Sequence, residues 1–290
     1  MESIYIALTA HNPLSRVETT LKVLKGYETL PLTCNVEIFI DFDHKGDLDE
    51  FSLIVGSHIH LNTVSFTVAS PEYEGYYLCW AHKDSLKNKV DIKAFDYYMY
   101  SENDMLFCAE HFDYWIRYKD KLKRLNLEPG FCRFERVGDK KIPFDNYRKW
   151  NLLGPTEKCW GDVPHKGQFV LSPTDDEVVG FVSLGNPYGG LMILDQEQAD
   201  KYVTSDSCDP RKSYFLTGKR NWPIADRSSM GLAFEDLLPE QEHRRVVPVV
   251  RDKDKLRIPD YALVEHMDLK YSPALLKKEG IIDTDSMFAY

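Results

Sequence analysis

The sequence predicts an α/β fold, with a mostly parallel, doubly wound sheet in its first half and an irregular mixed α/β second half. Two observations point there. Through residues 1–127, short apolar runs that read as strands alternate with stretches of helical spacing, the pattern of stacked βαβ units. The second and fourth of those runs end in acidic residues, where an open α/β sheet presents its ligand-binding edge. Hydrophobic residues make up 43% of the 290, enough for a sizeable core. No internal repeat, low-complexity tract or linker interrupts the chain. The expectation is one continuous domain over 1–290, with halves meeting near residue 127.

Each element follows from local pattern. "IYIALT" (Ile4–Thr9) is a near-continuous apolar strand, and "AHNPLS" is the turn after it. From Arg16 to Gly26 the apolar residues Val17, Leu21 and Leu24 keep helical spacing, and a glycine closes the segment. In the second strand Val36, Ile38 and Ile40 alternate, with Asp41 and Asp43 closing it. Residues 47–55 suit a short helix, "HIHLNTVSFTVAS" a third strand, and Trp80–Val90 a further helix. The run from Asp96 is the fourth strand. It ends in Ser101-Glu102-Asn103-Asp104, and Phe112, Trp115, Ile116 and Leu122 then place a helix reaching about Leu125. Beyond it, "ERVGDKKIPFD" reads as a hairpin and 195–203 as a short helix. Residues 204–229 are loop-rich, "MGLAFEDLLPEQ" is helical, and "DYALVEHMDLKYSPALLKKEG" is a strand, a turn and a short helix.

Composition narrows the function classes. The net charge is −10 and no Lys/Arg block is long enough to track a phosphate backbone, so nucleic acid is not the expected partner. An acidic protein still binds an anionic nucleotide when a divalent metal bridges the charges. The six cysteines are scattered without a Cys-x-x-Cys pair and read as reduced thiols of a cytoplasmic protein. The N-terminus lacks the basic and apolar regions of a signal peptide, and no run reaches the ~18–20 apolar residues of a membrane span.

Several groups could carry chemistry. Glu102-Asn103-Asp104 sits where a carboxylate can hold a hard cation, Mg²⁺ or Mn²⁺, shared with substrate phosphates; the plain alternative is a turn. Arg16, a turn after the first strand, could grip a phosphate bidentately or sit solvated on its helix. Asp41 and Asp43 point to one face by their two-residue spacing and are a rival metal pair. Gly189-Gly190 permit close backbone approach to a ligand. Glu235-Asp236 form a carboxylate pair near a helix start, where the dipole alone would favour them. Tyr188 and Trp222, flanked by Pro and Gly, are the best placed of many loop aromatics to pack on a sugar face. His58 and His60 alternate on a strand, with no third ligand near enough in sequence for zinc.

The order of these parts resembles the GT-A class of nucleotide-sugar-dependent glycosyltransferases. "YMYSENDMLFCAEHFDYW" looks like a variant of the short acidic motif that follows the fourth strand of that class, with Asn103 in place of a middle acid. The resemblance implies Asp104 as metal ligand, with Glu102 facing the ribose or a metal-bound water. It implies His266, late in the chain, as a second ligand of Mn²⁺ or Mg²⁺. It puts Ala10, His11 and Asn12 against the nucleoside, with an acid from Asp41 or Asp43 on the base or ribose and Lys270 on the diphosphate. "YGGLMIL", a loop of roughly forty residues and then "AFED" resemble the inverting members of the class. There Asp236 would be the general base and Glu235 its support, with Tyr188, Gly189, Gly190 and Trp222 toward a glycan acceptor. The first half would bind a UDP- or GDP-linked donor and the second the acceptor. Two other functions compete: an inactive nucleotide- or glycan-binding protein of the same fold, and a sugar-1-phosphate nucleotidyltransferase. The last ranks lowest because "AHNPLSR" has no glycine-rich basic loop.

Overall fold

A computed structural model describes residues 1–42, 47–143, 145, 150–151, 154–155, 170–171, 178–216, 222–239, 241–253 and 255–270. The main strands are β1 (Ser3–His11), β2 (Thr33–Asp41), β3 (Thr63–Val68), β4 (Tyr97–Glu102), β5 (Cys132–Val137), β6 (Lys140–Pro143), β7 (Val178–Val182), β8 (Leu191–Asp195), β9 (Arg245–Asp252) and β10 (Leu263–His266). The helices are α1 (Val17–Glu28), α2 (Asp47–His58), α3 (Lys83–Asp91), α4 (Ala109–Lys123), α5 (Gln196–Thr204), α6 (Ser213–Leu216) and α7 (Ile224–Ser228). They form two compact units. The first is residues 1–109 with 190–235, and the second is 110–189 with the described residues from Asp236 on.

The first unit is the α/β sheet. Its strand order is β8-β4-β1-β2-β3. The last four are parallel, and β8 closes the edge antiparallel to β4. The chain winds outward from β1 through β2 to β3, then returns to the other side of β1 for β4. That reversal makes the gap between β1 and β4 the topological switch point of the sheet. β1 occupies the centre, covered on both faces, which is why Ile4 to Leu8 form an unbroken run at 1% exposure or less. Aromatic rings fill one side of the sheet: Tyr5, Trp80, Tyr98, Tyr100 and Tyr202. Asp195 starts α5 with a capping box, its side chain accepting from the Gln198 N–H while the Gln198 side chain accepts from the Asp195 N–H.

Three local expectations are corrected. Gly26 lies inside α1 and does not end it; the residue is glycine because a side chain there would run into the Phe107 carbonyl oxygen. α2 continues to His58, so β3 begins only at Thr63, and the alternating His58 and His60 do not share a strand. Residues 230–238 are a succession of turns and not a helix; Gly231 and Asp236 take left-handed φ values of 54° and 51°, which a helix cannot carry.

The second unit carries shorter sheets. β9 pairs antiparallel with β7 and parallel with the two-residue strand Glu128–Pro129. β5 pairs parallel with β10 and antiparallel with β6, forming the expected hairpin around Gly138. Charged pairs are buried here. Arg133 holds Asp145 at 2.7 Å and lies 4.2 Å from the Tyr188 ring; Arg245 reaches Glu128 at 3.2 Å. Among the described residues no helix is long and apolar enough to cross a membrane, and the five described cysteines are free.

Candidate functional site

The carboxyl ends of β1, β2 and β4 gather most of the expected donor-side residues in the first unit. Register sets their order: Thr9 lies beside Glu102, and His11 beside Asp41. The His11 Nδ1 is 2.8 Å from an Asp41 carboxylate oxygen, with His11 open to solvent and Asp41 largely covered. Asn12 follows in the left-handed region at φ 42°, and its N–H donates to the Asp41 carbonyl at 3.1 Å. This left-handed residue turns the chain sharply off the strand, and Pro13 then starts a single 3-10 turn leading into α1. Ala10 is wholly buried in β1, so neither its methyl group nor its backbone is open to a ligand.

After β4 the chain makes a tight turn. The Asn103 N–H donates to the Thr9 carbonyl at 3.1 Å, tying the turn to the end of β1. The Asn103 side-chain amide donates to the Thr20 hydroxyl at 2.9 Å, and that hydroxyl donates to the Arg16 carbonyl at 3.3 Å. Asn103 is therefore a buried strut between the acidic turn and α1. Asp104 is nearly covered at 11% side-chain exposure, and the half-exposed Arg16 guanidinium stands 3.8 Å from its carboxylate. One strand, one helix start and one turn thus bring an acid and a base together at the switch point. The two oxygen-bearing acids of the turn, Glu102 and Asp104, suit a hard divalent cation.

The remaining expected residues have different surroundings. Asp43 lies outside the described residues. One Glu235 carboxylate oxygen accepts from both the N–H (3.0 Å) and the hydroxyl (2.7 Å) of Ser207. The Asp236 carbonyl accepts from the Asn126 side chain at 2.9 Å. Trp222 is half-buried, with its ring 6.5 Å from that of Phe234. Tyr188 is 5% exposed beneath the Arg133 guanidinium, so its ring is occupied in packing. Gly189 and Gly190 both take φ near 65°, and a Cβ on Gly190 would meet the Met105 sulfur at 2.7 Å. Their conformation and packing explain the pair without a ligand. His266, in the second unit, is buried with Nδ1 2.9 Å from the fully buried Glu135 carboxylate, and Lys270 is exposed.

Sequence patterning gave no sign of Lys83. Its ammonium is buried, donates to the Tyr202 hydroxyl and to the Ser228 carbonyl (2.8 Å), and lies over the rings of Trp80, Tyr100 and Tyr202. Burial lowers its pKa from 10.5 to about 8. Tyr100 in turn hydrogen-bonds Thr9 at 3.1 Å, so this cage supports the end of β1 from behind.

No family model matches the sequence, and no curated protein matches it. Solved structures similar to it include the 4-diphosphocytidyl-2C-methyl-D-erythritol synthase of Anaerococcus prevotii. That likeness has a TM-score of 0.33 and 11% identity, over 70% of this chain and 76% of that one. Another is residues 1–349 of Staphylococcus aureus TarS in complex with UDP-GlcNAc, at a TM-score of 0.30 and 9% identity, over 51% of this chain and 38% of that one. Likenesses this distant carry no chemistry across.

Proposed function

We propose that the chain is a nucleotide-sugar-dependent glycosyltransferase whose donor binds at the carboxyl ends of β1, β2 and β4. The observation that carries this reading is the switch point between β1 and β4, occupied by Glu102-Asn103-Asp104 and faced by Asn12 and Arg16. In open α/β sheets that crevice is where nucleotides bind. In this reading His11 and Asp41 would meet the nucleoside, Arg16 the diphosphate, and Asp104, supported by Glu102, a Mn²⁺ or Mg²⁺ ion. Bound there, the ion would neutralise charge on the departing diphosphate. Asp236 is the proposed base for the acceptor hydroxyl, and the expected outcome is inversion at the transferred sugar.

Thermal shift with a panel of UDP- and GDP-sugars, with and without Mn²⁺, tests the donor site, because binding to the folded state raises its apparent stability. One nucleotide should stabilise the protein, and Mn²⁺ should enlarge the shift. Asp104→Ala should remove the Mn²⁺ increment; an undiminished increment would place the ion elsewhere. Asp236→Asn should abolish transfer while donor binding stays near that of the parent. The Arg16–Asp104 contact favours a second reading, a nucleotide-binding protein without turnover, in which the arginine and not a metal balances Asp104. Nucleotide binding indifferent to Mn²⁺, with no transfer, would select it.

A further inference from the structure

The helix α1 carries more of the donor side than Arg16 at its start. Arg16, Thr20 and Tyr27 are spaced by four and by seven residues, so they fall along one side of the helix. That side runs beside the acidic turn and the residues after it. Arg16 stands 3.8 Å from Asp104, and the Asn103 amide donates to the Thr20 hydroxyl at 2.9 Å. Farther on, Gly26 lies against the Phe107 backbone, and the Thr29 hydroxyl accepts from the Ala109 N–H at 3.0 Å. Helix side chains lean toward the helix start, so the long side chain of Tyr27 is carried from beside Phe107 back toward Asn103 and Asp104.

Tyr27 is wholly buried there, and its hydroxyl forms no hydrogen bond. A buried donor left without an acceptor is uncommon and costly. Burial is the main reason its pKa is raised. The Ser101 hydroxyl works against that rise, while the Cys34 thiol and the Asp104 carboxylate add to it, so all three stand within electrostatic reach. The Tyr27 hydroxyl accordingly keeps its proton and remains a donor. The Cys34 thiol is turned to the Tyr27 and Leu32 carbonyls, and the Ser101 hydroxyl donates to the Glu102 carbonyl at 3.2 Å. The carboxylate is the strongest acceptor of the three. Its two oxygens differ: Oδ2 is the one near Arg16, and Oδ1 is sealed from solvent.

We propose that Tyr27 is a positioning residue for the cation site. When a cation takes the outer oxygen of Asp104, the Tyr27 hydroxyl donates to the inner one and fixes the orientation of the carboxylate. Carboxylates that bind metals are usually held by a hydrogen bond of this kind. The inference deepens the metal-dependent reading above and rests on it.

Calorimetric titration of UDP and of GDP, at zero and at saturating Mn²⁺, measures the gain in nucleotide affinity that the ion brings. Tyr27→Phe removes one oxygen and keeps the ring. It should cut that gain about tenfold, while nucleotide affinity without metal stays at the parental value. Without ligand the variant should melt no lower than the parent, because it deletes a buried hydroxyl that has no acceptor. A purely structural tyrosine would give another pattern, with melting temperature and metal-free affinity falling together. Ser101→Ala, which removes the rival acceptor, should keep the parental gain. A parental gain in Tyr27→Phe, the purely structural pattern, or a loss in Ser101→Ala as large as that in Tyr27→Phe would each overturn the inference. Asp104→Ala separates the two failures. A Mn²⁺ gain that is absent from the parent, or that survives Asp104→Ala, removes the metal assignment and this inference with it. A gain lost in Asp104→Ala but kept in Tyr27→Phe removes this inference alone.

Discussion

Asn103 shows how one atom can decide a motif. A carboxylate in the middle of the acidic turn would face the Thr20 oxygen, whose hydrogen already goes to the Arg16 carbonyl. Only an amide supplies the missing donor. Asn103→Asp is therefore expected to cost about 1–3 kcal/mol, read from urea denaturation, and to bring no gain in Mn²⁺ affinity. From sequence alone Asn103 registers as a departure from an acidic pattern, because Thr20 is 83 residues away and nothing local names it as the partner. The place of Glu102 and Asp104 at a strand's end was legible, since an apolar run followed by acids is a local signal. Lys83 was not, because its significance lies in burial without a counter-charge, and a lysine at a helix start gives no hint of that.

Secondary structure was legible wherever period and burial agree. The central strand β1 was legible because a central parallel strand is apolar throughout, whereas β3, read from His58, begins at Thr63, and β8 was not assigned to this sheet. The misreadings were at glycines and turns. "MGLAFEDLL" has the spacing of an amphipathic helix, yet left-handed residues at Gly231 and Asp236 break it. Gly26 looks like a helix end but marks the close approach of α1 to the Phe107 backbone. Gly26→Ala should consequently destabilise the protein by about 1–3 kcal/mol, although alanine usually stabilises a helix interior. Gly190→Ala should also be destabilising, since its φ of 66° and the Met105 sulfur at 2.7 Å oppose a side chain together. Thermal melts of the two variants give both answers.

Stability as a function of pH belongs to the whole molecule. Lys83 titrates near 8 when folded and near 10.5 when unfolded, so between those values the unfolded chain holds more protons. Its contribution to stability is therefore most unfavourable below pH 8 and improves as pH rises toward 10.5. The total is on the order of 3 kcal/mol. Lys83→Met should remove that part of the pH profile, seen as a shrinking difference between the parent and variant urea midpoints from pH 8 to 10.5. A difference constant over that range would mean that Lys83 titrates normally.

The strand β8 has a consequence for how the protein is made. It covers the β4 edge of the first sheet but lies about ninety residues beyond β4 in the chain. On a ribosome that synthesises from the N-terminus, β1 to β4 emerge long before their last neighbour and expose an unpaired edge for the whole interval. The rings of Tyr98 and Tyr100 wait equally long for Tyr202. A nascent chain halted after residue 109 should be prone to aggregation and to chaperone capture, and release from that state should coincide with the emergence of residues 190–235. The earlier-made strands of this sheet thus wait for the latest-made one before they finish folding.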